Sequence, residues 1–96
     1  MHIEFTGQYR WSSDGWLSFR AIVDGKSVTN RIATAALQDH YQSSGSREGD
    51  EAAYLYAFDT LQDVAREMIA RGMKNPFGGA DITTDALRTF LDADET

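Results

Sequence analysis

Cysteine is absent from this chain, and that one absence removes disulfide bonds, thiolate metal sites and cysteine nucleophiles together. Long apolar runs are absent too. The longest, AAYLYAF, falls far short of the roughly 20 residues a membrane-spanning helix needs. Bases are scarce, nine Lys and Arg against fifteen Asp and Glu, for a net charge of -6. A bound phosphate backbone would meet a repulsive field, so general nucleic-acid binding is disfavoured unless a local basic patch overrides the average. The N-terminus, MHIEFTGQYR, carries an acid at Glu4 and no apolar run behind it, unlike a secretory signal; we expect a cytoplasmic chain. No internal repeat or heptad run is visible. With 96 residues and no polar linker, the sequence predicts a single domain over 1–96.

What is present is strongest in WLSFRAIVDGKSVTNRI, Trp16 to Ile32. Leu17, Phe19, Ala21 and Val23 alternate with polar residues, and Asp24-Gly25 is a two-residue hairpin signal. Such a turn pairs Val23 with Lys26, which sets Ala21 against Val28, Phe19 against Asn30 and Leu17 against Ile32. The hydrophobic residues then share one face, and the register supports itself. His2 to Thr6 alternates as well and predicts a further strand, while Gly7 to Gly15 reads as a connection containing Tyr9 and Trp11.

Helical spacing follows in ATAALQDHY. Ile32 and Leu37 have the separation of a hydrophobic staple, which places Ala33 at the N-cap. Ser43 to Asp50, SSGSREGD, predicts a flexible polar loop at 43–50. A long helix is predicted from about Glu51 to Arg71, with an apolar stripe through Leu55, Phe58, Leu61, Ala65, Met68 and Ile69. Gly72 is a left-handed stop for it, and Pro76 bars continuation. In NPFGGADITTDAL the paired glycines satisfy neither a P-loop nor a dinucleotide fingerprint, and Asp81 and Asp85 would repel an arriving phosphate. The stretch predicts instead a bend, a strand, and a short helix capped by Thr83 with Leu87, Phe90 and Leu91 on its apolar side. The acidic ending over 92–96 is expected to fray. Together these elements predict an α+β fold: an antiparallel sheet of three or four strands, two main helices on one face in a two-layer sandwich, and a short C-terminal helix.

The succession F-R-A-I-V-D-G, I-A-T-A-A-L-Q-D-H-Y, A-F-D-T-L-Q-D-V-A-R-E-M-I-A-R-G and I-T-T-D resembles the bacterial domain-of-unknown-function family 1488, over roughly Ile3 to Leu87. The resemblance implies a small α+β fold and no established activity, so it transfers no catalytic residues. Two positions depart from the family pattern: Ala33, where a serine cap is usual, and Asn30, where a small or sulfur-bearing residue is common. Asn30 therefore puts an amide on the core face that needs a partner.

Chemical candidates are few. His40 beside Asp39 is the one conceivable base with a carboxylate, but adjacent helical residues point in different directions; a histidine in a last turn complements the helix dipole. Asp59, Asp63 and Glu67 follow one another along a helix side, where pairing with Arg66 and Arg71 is simpler than a metal site lacking a shaped loop. We predict no catalytic constellation, no metal site and no cofactor, and hence no enzyme.

The second sheet face is more informative. The register points Trp16, Ser18, Arg20, Ile22, Ser27, Thr29 and Arg31 away from the core, with Tyr9, Arg10 and Trp11 approaching from the connection. Tryptophan and arginine together are the residue types enriched in binding hot spots. The expected site is thus Trp11, Trp16, Arg20 and Arg31, on a module that binds a protein partner or forms a homodimer. The alternative is single-stranded nucleic acid, with bases stacked on Trp11 and Trp16 and phosphates on Arg20 and Arg31.

Overall fold

The computed structural model describes residues 1–92. Its hairpin is the one the alternation predicts: β2 (Trp16–Val23) and β3 (Lys26–Ala33) pair antiparallel, with Val23 opposite Lys26 and Leu17 opposite Ile32. Asp24 and Gly25 turn the chain with φ of 50° and 84°, both left-handed, as a primed turn between twisted strands requires.

The first strand runs further than its alternation suggests, as β1 (Ile3–Trp11), antiparallel to β2. Phe5 faces Ala21 and Tyr9 faces Phe19, so Thr6, Gly7 and Gln8 together oppose Arg20. Two extra residues bow the strand but preserve its alternation. Tyr9 and Trp11 consequently stay on the side of Ile3 and Phe5 and pack against the core. One extra residue would have turned both outward.

The expectation of an antiparallel sheet needs correction. The sheet is mixed, in the order β1-β2-β3-β4, because β4 (Gly78–Ile82) runs parallel to β3. Parallel neighbours require a long crossover, supplied here by α1 (Thr34–Tyr41) and α2 (Arg47–Ala70). Between Thr29↔Gly78 and Arg31↔Asp81 the register slips, and Asn30 fills the irregularity. Its Oδ1 accepts from Ala80 N at 2.9 Å and its Nδ2 donates to the Phe19 carbonyl at 3.2 Å, which supplies the fully buried amide with the partners it needs. Gly79 belongs to the same contact: a Cβ there would overlap the Thr29 carbonyl and lie 2.7 Å from Asn30 Oδ1.

Ala33 caps α1 in extended conformation with no side-chain hydrogen bond. α2 begins earlier than its apolar stripe implies, so 47–50 of the expected loop are helical. Ser46 is the N-cap, accepting from Gly49 N at 3.0 Å. Gly49, which gives the stretch its loop-like composition, packs close to Ser44: a Cβ there would have to displace Ser44 Oγ and would sit 3.0 Å from the Ser44 amide nitrogen. Leu55 is 55% exposed and stands off the buried stripe, which runs through Tyr54, Ala57, Leu61, Ala65 and Met68. At the C-terminus Gly72 adopts φ 77°; Gly72 N bonds Ile69 O and Met73 N bonds Met68 O, a Schellman stop. α3 (Thr84–Asp92) starts at the predicted cap, with Ala86 N donating to Thr83 Oγ1 at 3.2 Å. Asp92 closes this helix, and the rest of the acidic ending lies outside the described residues. Leu17, Phe19 and Ile32 from the sheet form one core cluster with Leu37, Tyr54, Leu61, Ile69 and Leu87 from the helices.

Candidate interaction surface

Even-numbered positions of β2 carry the opposite face, and the site begins where Trp16 and Arg31 meet on it. Trp16 and Arg31 stand on neighbouring strands, two rungs apart on the same face, and the Arg31 guanidinium lies 4.2 Å from the centroid of the indole. Arg31 opposes Asp81 across the parallel pairing, and the two form a bidentate pair, Nε to Oδ1 at 2.8 Å and Nη2 to Oδ2 at 2.6 Å. Asn75 braces that carboxylate. Its Nδ2 donates to Asp81 Oδ1 at 2.8 Å and to the Thr29 carbonyl, while its Oδ1 accepts from the amides of Phe77 and Gly79. The ring of Phe77, 58% exposed, lies 5.7 Å from the Arg31 guanidinium. The NPFGGAD stretch is therefore a turn whose backbone amides serve Asn75, leading into β4.

Hydrogen bonds from Arg31 hold the Asp81 carboxyl below the ordinary aspartate range, against the opposing effect of burial, and Asn75 adds to the lowering. The same pairing pushes the Arg31 guanidinium still higher. A planar cation stacked on an indole and forked onto a carboxylate is held by both its face and its edge.

Of the four expected site residues, Trp16, Arg20 and Arg31 share this face. Arg20 is exposed, Trp16 and Arg31 half-buried. Trp11 is separated from them: it sits across from Leu17, on the core side, and its indole Nε1 donates to the buried Asp50 at 2.9 Å. The cause is the parity-preserving bulge in β1, which turns Arg10 outward in its place. Arg10, Arg20, Ser18, Gln8 and Thr29 line a groove of about 370 Å³ on the outer face.

His40 lies in the last turn of α1, edge-on to Tyr41, while Asp39 accepts a long hydrogen bond from Thr84 Oγ1 at 3.4 Å. Asp63 pairs with Arg66 at 2.9 Å and Glu67 with Arg71 at 2.8 Å, the solvated helix side the spacing suggests. Among the described residues no cluster of three or more histidine or acidic side chains could hold a metal. No helix among them is long and apolar enough to cross a membrane.

Sequence reasoning missed Asp81, Asn75 and Phe77 as parts of this surface. The one signal was the asparagine, aspartate and glycines of NPFGGAD, read as turn chemistry; the link to Arg31 spans fifty positions and is not locally encoded.

No curated protein matches this chain. A crystal structure of a protein of unknown function from Shewanella loihica PV-4, of the DUF1488 family, superposes with a TM-score of 0.75 at 16% identity, covering 85% of this chain and 94% of that one. At that identity the likeness concerns the fold. Residues 3–80 match the family described as protein of unknown function (DUF1488), and the chain belongs to that family.

Proposed function

We propose that this chain is a non-catalytic interaction module whose outer sheet face, around Trp16, Arg20 and Arg31, binds a protein partner or a second copy of the chain. The observation that carries the reading is the Trp16–Arg31–Asp81 stack with Asn75 behind it. Docking normally costs the ordering of long side chains, and here the two residue types most useful in an interface are already ordered. Arg20 beside them has no salt bridge among the described residues and offers its charge outward. Nucleic acid is a weaker fit for this surface: Trp11 and Trp16 lie on opposite sides of the sheet, and Arg31 is neutralised by Asp81.

The test compares wild type and Arg20→Glu as baits for affinity capture with mass spectrometry, and as samples in sedimentation. A partner or self-association seen for the wild type and lost in the variant, at an unchanged melting midpoint, is the expected result. Equal capture and equal sedimentation for both would refute the reading.

A further inference from the structure

Among the arginines, Arg31, Arg47, Arg66, Arg71 and Arg88 each hold an aspartate or glutamate within salt-bridge distance. Arg10 and Arg20 have no such partner among the described residues, and both line the outer-face groove of about 370 Å³. In a chain with fifteen acids against nine bases, an arginine without a carboxylate is the exception, and two in one groove are a local reversal of charge. The acids sharing this face are engaged elsewhere. Glu4 is 3.1 Å from the His2 ring, Asp14 accepts from the Trp16 amide, and Asp81 holds Arg31.

The bulge of β1 shapes the groove. Thr6, Gly7 and Gln8 bow away opposite Arg20, with Gly7 at φ 84°, and Thr6 Oγ1 bridges to the Arg20 carbonyl at 3.4 Å. Ser18 and Thr29 add hydroxyls to the lining and Gln8 an amide.

We propose that this groove is a carboxylate site, taking an acidic segment of the partner whose aspartate or glutamate side chains meet Arg10 and Arg20; this deepens the interaction reading and rests on it. Guanidinium forks match carboxylates edge to edge, and the neighbouring hydroxyl and amide donors satisfy the remaining lone pairs. A short acidic segment can confine its charges to the groove. A nucleic-acid backbone would carry its phosphates onward into the field of a chain whose net charge is -6.

Fluorescein-labelled hexaglutamate, followed by anisotropy at low salt, tests the proposal directly. Wild type should bind it, with affinity falling as salt rises, and the double variant Arg10→Gln, Arg20→Gln should bind on the order of tenfold more weakly. Arg66→Gln, altering an ion-paired arginine on α2, should bind like the wild type. A second measurement, independent of how the double variant folds, maps amide shifts of the unaltered protein; peptide-induced shifts should centre on Gln8, Arg10, Ser18 and Arg20. Equal affinity in the double variant, or shifts centred elsewhere, overturns the carboxylate site. So does a thymidine decanucleotide or inorganic phosphate that occupies the groove more tightly than the peptide. Failure here with Arg20-dependent capture intact removes only the acidic segment, whereas peptide binding without any captured partner or self-association removes the interaction reading and leaves an anion groove.

Discussion

The indole nitrogen of Trp11 donates to Oδ2 of Asp50 at 2.9 Å, joining the end of β1 to the first turn of α2. Asp50 is 1% exposed, and its other oxygen accepts from Ser43 Oγ, so one buried carboxylate ties together a strand, a loop and a helix start. Its position in the first helical turn also suits the positive end of the helix.

Replacing Asp50 with Ala leaves the Trp11 and Ser43 donors without their acceptor in a partly buried site, and should cost about 2 kcal/mol. Asp50→Asn, which keeps one acceptor oxygen, should cost less. Denaturant unfolding of the three proteins ranks them, and an unperturbed Asp50→Ala midpoint would show that the carboxylate holds nothing.

Asp81 gives a pH prediction. Its folded pKa is lowered by the hydrogen bonds from Arg31, so the stability it contributes is present above the unfolded aspartate value of about 3.9 and is lost as pH falls through the lowered folded value. The pair is partly exposed, which limits the contribution to about 1 kcal/mol. Asp81→Asn should therefore be less stable than wild type at pH 7, with the gap closing in acid. A gap independent of pH would mean that charge is not what the pair supplies.

Tyr54 carries a buried hydroxyl with no hydrogen-bond partner among the described residues, inside an aromatic cluster with Tyr9, Phe19 and Phe58. Burial pushes its ionisation well above the ordinary tyrosine range. Tyr54→Phe removes the unsatisfied group and keeps the ring, so we expect a gain of about 1 kcal/mol. A lower melting midpoint for the phenylalanine variant would contradict this.

Ala33 stands at the α1 N-cap with φ -65° and ψ 131°, the extended conformation in which a serine hydroxyl reaches the first free amides. Ala33→Ser should stabilise the fold by about 0.5 to 2 kcal/mol. Calorimetry decides it, and no gain would mean that this hydroxyl fails to reach them.

Much of the scaffold was legible because its causes are local. Asp24-Gly25 and the alternation around it specify the hairpin register, Gly72 ends α2, and Thr83 begins α3, each through residues within a few positions of one another. The start of α2 is masked in the sequence because its first turn carries Gly49 and precedes the apolar stripe, although Ser46 caps it locally. Trp11 lies on the core side because a bulge of two residues carries β1 past Thr6, where the alternation in the sequence stops.

The sequence by itself determined which side chains of β2 and β3 face inward, since a tight turn and a period of two leave one self-consistent arrangement. Only the tertiary structure decided that β4 joins parallel to β3, and with it that Asp81 takes Arg31, Asn30 finds Ala80, and Arg10 and Arg20 are left facing the groove without a carboxylate. Those relations join residues brought together by a crossover through two helices and by a bulge, and contact across such distances follows from packing the whole chain.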